Sequence, residues 1–247
     1  MKDLIIIKIG GNALNQLQAD FFKQLRIWRN DNKKILLVHG GGPMISQLCQ
    51  QLHVPITKEN GVRITDEKTL TLTKLVLLGQ MQPLLLQKLS DHHLNVQGLN
   101  AASNYLLKGR YLNKDKYGQV GAITYVNKKA LLAELNQKIG VLAPLALTEQ
   151  GEWLNVNADQ AALAVASYLG AEKLYLMTDV AGVLAQGKVV KKLNKQVAAK
   201  LVQDGTITSG MFPKVDAALK ARRSGVKEVF ITNSLIKTGT KIESEDL

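Results

Sequence analysis

Short apolar runs alternate with amphipathic stretches along most of the chain, and this alternation limits the possible folds more than any other feature. The runs are typical of buried strands in a largely parallel sheet, because apolar side chains point to both faces. They are Leu4–Ile9, Ile35–Val38, Val141–Leu147, Leu174–Met177 and Val229–Thr232. Strands that alternate with helices through right-handed crossovers predict an α/β sandwich around a mostly parallel central sheet.

The stretches between these runs have helical periodicity. We expect helices over Asp20–Arg29, Pro43–Leu52, Asp66–Gln80, Pro83–Leu89, Lys128–Asn136, Ala158–Leu169, Lys195–Gln203 and Val215–Arg223. Two segments have a different pattern. Thr57–Glu59 and Val62–Thr65 flank Asn60-Gly61, which predicts a β-hairpin. The glycine-containing stretch Tyr105–Tyr125 predicts a further hairpin or a loop.

Composition excludes several classes of protein. The 247 residues include 32 Lys and Arg against 20 Asp and Glu, a net charge of +12, but the lysines are scattered and no aromatic residues alternate with them. We therefore expect a solvated basic surface and no nucleic-acid partner. The single cysteine, Cys49, excludes an internal disulfide framework. No apolar run approaches the roughly 20 residues that span a bilayer, and no signal-peptide cleavage site is present, which predicts a cytoplasmic protein without a membrane partner.

Two predicted strands end in glycine-rich segments, at the sheet edge where open α/β folds bind ligands. The first ends in Lys8-Ile9-Gly10-Gly11, and the second in His39-Gly40-Gly41-Gly42-Pro43. Glycines let the backbone approach a ligand, and Pro43 at the first helical position favours an anion-binding loop, although a tight turn without a ligand is the alternative. Lys8 either extends past the sheet edge to solvent or faces a bound phosphate. Neither a Walker A loop nor a dinucleotide fingerprint is present, and we expect a structural role for His39.

Polar residues in three further segments are candidates for a ligand site. Arg63 lies in the predicted hairpin, where a guanidinium suits a carboxylate or phosphate. Asn157 is a plausible N-cap that places Asp159 in the first helical turn, so that capping alone explains both residues but not Asn155. Lys214 opposes a helix dipole, which indicates either solvent exposure or a bound anion.

In this order, these segments resemble the amino-acid kinase family over nearly the whole chain. The matching strings are Lys8–Gly11, His39–Pro43, Asn60–Asp66, Asn155–Gln160, Thr178–Gly182 and Gly210–Lys214. The hairpin and the Asn155–Gln160 string are most similar to the branch that phosphorylates the side-chain carboxylate of N-acetyl-L-glutamate for arginine biosynthesis. The resemblance implies a three-layer αβα sandwich, with residues 1–170 as an acceptor lobe and residues 171–247 as a nucleotide lobe.

The resemblance also implies a role for each matching position. Lys8 and Lys214 would stabilise the transition state, and Asp159 would orient both lysines. The acceptor contacts would be Gly41, Gly42, Arg63 and Asn155. The nucleotide side would comprise Gly10, Gly11, Asn157, Thr178, Asp179, Gly182, Gly210 and Met211. ATP would bring Mg²⁺ with it, and the protein would supply no metal-ligand set. A carboxylate acceptor needs no general base, so positioning and charge neutralisation are the chemistry expected.

The sequence departs from the family pattern at two points. Many relatives have a Gly-x-Asp-Gly turn where this chain has Gly98–Asn104, which is either neutral variation or a change in acceptor fit. The chain begins at the first strand, without the extra N-terminal helix of feedback-inhibited relatives, and so we expect a homodimer that arginine does not inhibit. Two alternatives remain: a kinase for carrier-protein-linked aminoadipate in lysine biosynthesis, and a non-catalytic nucleotide or nucleic-acid binder with the same fold.

Overall fold

The computed structural model describes residues 3–11, 13–59, 61–208 and 210–244. Its strands are β1 (Leu4–Ile9), β2 (Lys34–His39), β3 (Lys58–Glu59), β4 (Val62–Arg63), β5 (Val96–Leu99), β6 (Leu107–Tyr111), β7 (Gly121–Val126), β8 (Ile139–Leu142), β9 (Leu145–Leu147), β10 (Trp153–Asn155), β11 (Lys173–Met177), β12 (Leu184–Ala185), β13 (Lys188–Val189), β14 (Lys192–Leu193), β15 (Glu228–Thr232) and β16 (Thr240–Ile242).

The α-helices are α1 (Ala19–Asn30), α2 (Gly42–Gln51), α3 (Glu67–Val76), α4 (Gln82–Asp91), α5 (Lys114–Tyr117), α6 (Lys128–Gln137), α7 (Ala158–Leu169), α8 (Lys195–Gln203) and α9 (Phe212–Arg223). Short 3₁₀ segments cover Ala13–Gln16 and Ser103–Tyr105, and a π-helical turn, Leu77–Met81, joins α3 to α4.

The central sheet confirms the predicted α/β architecture. Within the described residues it has eight strands in the order β14-β16-β15-β11-β1-β2-β8-β5. Every neighbouring pair is parallel except β15 and β16. The first two thirds of the chain supply one half of the sheet, which consists of β1, β2, β8 and β5. The last third supplies the other half, which consists of β11, β15, β16 and β14.

Two hydrophobic cores lie on opposite faces of this sheet, because successive side chains of a strand point to opposite sides. In β1, Leu4 and Ile6 belong to the core under α6, α7 and α9. Ile5, Ile7 and Ile9 belong to the core under α1, α2, α3 and α4. Helices therefore cover both faces, which is the three-layer αβα arrangement.

Smaller β-elements cover one end of the sheet. A second sheet has the order β10-β9-β6-β7, and β3 pairs with β4 as the predicted hairpin. Asn60, the first residue of the predicted Asn-Gly turn, lies outside the described residues. The β6–β7 pair is antiparallel, as expected for Tyr105–Tyr125.

Three predicted boundaries were wrong. The run Val141–Leu147 is two strands in different sheets, because Pro144 has no N–H for a ladder and breaks the run after β8. The helices predicted on either side of Pro83 are consecutive turns of one long helical stretch from Glu67 to Asp91. Helix α9 begins at Phe212 rather than Val215, with Pro213 in its first turn, where a missing N–H costs nothing.

Candidate active site

Lys8, Asp159 and Lys214 form a buried cluster at the carboxyl edge of the sheet. Lys8 is even-numbered in β1 and so points to the same face as Leu4 and Ile6, towards α7 and α9. The Lys8 Nζ lies 3.0 Å from Asp159 Oδ1, and the Lys214 Nζ lies 3.6 Å from Asp159 Oδ2. The structure thus places one carboxylate between two ammonium groups from different elements.

Local structure explains the position of Asp159. The Asn157 side chain caps α7 by accepting hydrogen bonds from the Asp159 and Gln160 N–H groups at 2.9 and 3.2 Å. Asp159 is therefore in the first turn, as predicted, where the helix dipole favours a negative charge. Only 4% of Asp159 is exposed, and its Oδ1 is close enough to Lys8 for an ion pair but lacks hydrogen-bond geometry.

Burial dominates the electrostatics of Lys8, which is 5% exposed. Desolvation lowers the pKa of Lys8 below its ordinary value, the Asp159 carboxylate opposes this shift, and the charge of Lys214 adds to it. A buried ammonium with one carboxylate neighbour retains strong attraction for an additional anion, because little water screens the charge. The solvent-exposed alternative for Lys8 was wrong.

The two glycine segments meet beside this cluster. A Cβ added to Gly11 would lie 2.9 Å from Pro43 Cδ, so only glycine allows this approach to α2. A Cβ added to Gly10 would lie 3.7 Å from Lys8 Nζ, which places Gly10 next to the ammonium. Gly41 and Gly42 are at the start of α2, where free backbone N–H groups and the helix dipole favour an anion.

Arg63 projects from the β3–β4 hairpin towards the start of α2. Its Nη2 donates to the Gly42 carbonyl at 3.1 Å and to Ser46 Oγ at 2.8 Å. Its Nη1 is buried and has no hydrogen-bond partner. Burial lowers the pKa of Arg63, yet a guanidinium remains charged. The bonds of Nη2 therefore fix the side chain where it lines the cavity described below.

Asn155 and Asn157 line the same cavity, as their alternation predicted. The Asn155 Nδ2 donates to Thr65 Oγ1 at 3.1 Å, which ties β10 to the segment that follows Arg63. Asn157 was expected on the nucleotide side, and it lines the cavity together with Asn155 and Asp159.

Most of the predicted site residues line one cavity of about 240 Å³, whereas Gly10 and Lys214 lie outside its lining. Its polar lining includes Lys8, Lys58, Arg63, Asn155, Asn157 and Asp159, and the glycine segments contribute Gly11, Gly40, Gly41 and Gly42. Apolar contacts come from Ile45, Val62, Leu77, Val120, Pro144 and Val156. Among the described lining residues, three cations face one carboxylate, and so the cavity favours an anionic ligand with an aliphatic part.

The remaining residues predicted for the nucleotide side do not line this cavity. Thr178 lines a separate cavity of about 430 Å³, and its hydroxyl donates to Asp179 Oδ1 at 2.9 Å. Gly182 packs against Thr240, where a Cβ would approach Thr240 Oγ1 to 2.6 Å. Gly210 is exposed, and Met211 is the N-cap residue of α9. The role of these five residues in binding a nucleotide remains a prediction.

Several residues that line the cavity or support its lining were not singled out from the sequence. Ser46 supports Arg63, Lys58 pairs with Arg63 across the hairpin, and Leu77 and Pro144 form apolar wall. Only Ser46 left a signal, since it lies one helical turn after Gly42 on the face that follows the glycine loop. The others depend on contacts between distant segments.

Three other residues or segments lie away from the cavity. His39 is fully buried, and its Nδ1 lies 3.3 Å from the Gly40 carbonyl. Cys49 is a free, buried residue of the core, as expected. The loop that departs from the family pattern is stabilised by Asn100, whose side chain accepts bonds from Ala102 and Ser103 N–H, and residues 98–104 do not line the cavity.

Comparison with known proteins identifies the family of this chain. The family model described as amino acid kinase family matches residues 3–233. The chain belongs to the amino acid kinase family. Acetylglutamate kinase from Lactiplantibacillus plantarum is 52% identical over 99% of this chain and 99% of its own length. Acetylglutamate kinase from Leuconostoc citreum is 47% identical over 97% of this chain and 98% of its own length.

A solved structure also resembles this amino acid kinase closely. The crystal structure of smu.665 from Streptococcus mutans UA159 has a TM-score of 0.94 and 39% sequence identity, and the match covers 99% of this chain and all of that one.

No helix in the described part of the chain has the length and apolar character to cross a membrane. The described residues also contain no group of three or more His, Cys, Asp or Glu side chains arranged for a metal ion.

Proposed function

We propose that this amino acid kinase is an acetylglutamate kinase, which transfers the γ-phosphoryl group of ATP to the side-chain carboxylate of N-acetyl-L-glutamate in arginine biosynthesis. The names of the full-length relatives support this function. The observation that carries it is the Lys8–Asp159–Lys214 cluster, because Lys8 and Asp159 line the same cavity as Arg63.

The acceptor would be held at two places. Arg63 is suited to a carboxylate, since its guanidinium belongs to the cavity lining and is held there by the Nη2 bonds to Gly42 and Ser46. Asn155 and the N–H groups of Gly41 and Gly42 would hold the rest of the acceptor, and the aliphatic wall would contact its apolar atoms. The reacting carboxylate would then lie beside Lys8.

The chemistry requires charge neutralisation more than proton transfer. A carboxylate is already a nucleophile at neutral pH, and phosphoryl transfer places negative charge on the equatorial and leaving oxygens. Lys8 and Lys214 would neutralise this charge from opposite sides, and Asp159 would keep the two ammonium groups together before ATP binds. Gly10, Gly11 and Asn157 would lie along the transferred phosphate.

The nucleotide would bind over residues 171–247, and residues 1–170 would take the acceptor. Thr178, Asp179, Gly182, Gly210 and Met211 are the proposed nucleotide-side residues, supported by their position at the carboxyl ends of strands and before α9. ATP would enter as its Mg²⁺ complex, in which the metal neutralises phosphate oxygens.

We also infer a cytoplasmic homodimer. Exposed apolar side chains such as Leu52 and Leu75, which are 51% and 58% exposed, are candidates for a contact between copies because α2 and α3 pack together. The single buried cysteine suits a reducing compartment. Light scattering of the purified protein would measure the mass of the assembly.

Acyl phosphate formation tests the proposed function. Purified protein is incubated with ATP, Mg²⁺ and hydroxylamine, and N-acetyl-L-glutamate, L-glutamate and N-acetyl-aminoadipate are compared as acceptors. Turnover selective for N-acetyl-L-glutamate is the expected result. No turnover on any of the three, in a protein that binds ATP, would contradict the proposal and would favour the carrier-protein kinase.

A further inference from the structure

The long helical stretch from Glu67 to Asp91 contains a local irregularity beside the acceptor cavity. Leu77–Met81 forms a π-helical turn, in which the Gln82 N–H donates to the Leu77 carbonyl five residues earlier. π turns of this kind are single-turn widenings of α-helices and are frequent at functional sites. Here the turn contributes one residue, Leu77, to the cavity lining, and no other described residue of this helical stretch lines the cavity.

Leu77 packs directly behind the glycine loop. It is 1% exposed, and a Cβ added to Gly41 would lie 2.9 Å from Leu77 Cδ2 and 3.3 Å from Met81 Cγ. The backbone at Gly41 therefore rests against two side chains of the π turn without space between them. Any shift of Leu77 would therefore move both its own part of the cavity wall and the glycine loop that lines the same cavity.

Gln82 connects the same turn to the central sheet. Its buried Nε2 donates to the Leu99 carbonyl at 2.9 Å and to the Val141 carbonyl at 2.8 Å, at the ends of β5 and β8. Val141 is followed shortly by Pro144, which lines the cavity. Residues five apart in a regular α-helix lie about 140° from each other around the axis. The wider π turn reduces this angle, so Leu77 lines the cavity while Gln82 bonds the sheet from a similar side of the helix.

We propose that the π-helical turn positions the acceptor cavity and that Leu77 is the residue that limits the length of the acceptor chain. This inference rests on the proposed function and names the residue that makes the site select its acceptor by length. The aliphatic side chain closes the cavity beside Gly41, so an acceptor one methylene longer than N-acetyl-L-glutamate meets Leu77. One methylene in an apolar pocket discriminates between substrates by about 10- to 200-fold.

The test compares Leu77→Ala with wild type on N-acetyl-L-glutamate and N-acetyl-aminoadipate. Both kcat/KM and the dissociation constant from calorimetry are measured for each acid. We expect the preference of kcat/KM for the shorter acid to fall at least tenfold in Leu77→Ala, mainly through tighter binding of the longer acid. Leu77→Met, which nearly conserves volume, should retain the wild-type preference.

Leu85→Ala is the matched control, because Leu85 is a fully buried leucine of the same helical stretch and core that does not line the cavity. Thermal unfolding is measured for each variant to check that it is folded at the assay temperature. An equal change of preference in Leu77→Ala and Leu85→Ala, or none in Leu77→Ala, overturns the role of Leu77. If wild-type protein binds both acids without phosphorylating them, the result contradicts the proposed function but not the role of Leu77, because the ratio of the two dissociation constants still tests that role. If wild-type protein binds neither acid, the result overturns the proposed function and the role of Leu77 together.

Discussion

The Lys8 ammonium and the Asp159 carboxylate lie 3.0 Å apart with 5% and 4% of each residue exposed, so β1 and α7 are joined by a buried ion pair at the cavity floor. Removing one member of such a pair leaves an uncompensated charge. Asp159→Asn conserves shape but not charge, and we expect it to lower the free energy of unfolding by about 3–5 kcal/mol. Urea denaturation at pH 7.5 measures this change, and a loss below about 1 kcal/mol would show that the pair is not electrostatically coupled.

Lys8→Ala and Lys214→Ala should each lower kcat by about 10²–10³-fold with little change in KM for the acceptor, because both ammonium groups are proposed to act on charge that develops in the transition state. Lys220 provides a control on α9. It is an exposed lysine paired with Asp216, and Lys220→Ala should leave kcat within twofold of wild type. Unchanged kcat in either of the first two variants would remove that lysine from the mechanism.

Arg63→Ala should raise KM for N-acetyl-L-glutamate by at least tenfold while kcat falls much less, since the guanidinium is proposed to hold the acceptor before and during the reaction. Arg63→Lys tests the fork geometry, because an ammonium cannot bond Ser46 and a carboxylate in the same way. Steady-state kinetics with varied acceptor distinguishes the two effects. A fall in kcat with an unchanged KM would contradict the proposed role of Arg63 in holding the acceptor.

The adjacent glycines Gly41 and Gly42 should respond differently to alanine. A Cβ at Gly41 would contact Leu77 at 2.9 Å inside the core, and we expect Gly41→Ala to destabilise the protein by about 1–3 kcal/mol through overpacking. A Cβ at Gly42 would have no atom within 4 Å, so Gly42→Ala should change the free energy of unfolding by less than about 0.5 kcal/mol. Equal destabilisation of both variants in urea denaturation would argue against this packing.

His39 should make the folded protein sensitive to mild acid. Burial lowers the pKa of His39 from 6.5 to about 4, so between these pH values the unfolded chain binds a proton that the folded chain does not. Stability then rises with pH in this window, and lowering the pH from 7 to 5 should cost roughly 2 kcal/mol. His39→Gln should flatten this part of the curve of unfolding free energy against pH. The same slope in the variant would assign the effect to other groups.

Much of the local structure was predictable, because it depends on neighbours in sequence. The strand Leu4–Ile9 and the helix Ala158–Leu169 have the predicted bounds, and the Asn157 cap follows from a short-range preference for asparagine before a helix. The β3–β4 hairpin likewise follows from turn chemistry. The run Val141–Leu147 was misjudged because its apolar pattern was given more weight than Pro144, the residue that divides it between two sheets.

The fold class, the glycine loops at the strand ends and the residue types available for phosphoryl transfer could be recognised in the amino-acid sequence. Period-two and helical periodicities, caps and turns are properties of adjacent residues, so they can be recognised before the chain folds. Three contacts could be seen only in the folded chain: Asp159 lies between Lys8 and Lys214, Ser46 bonds Arg63, and Leu77 in the π turn packs against Gly41. These contacts join segments far apart in the chain, and their geometry results from sheet order and core packing rather than from any local preference.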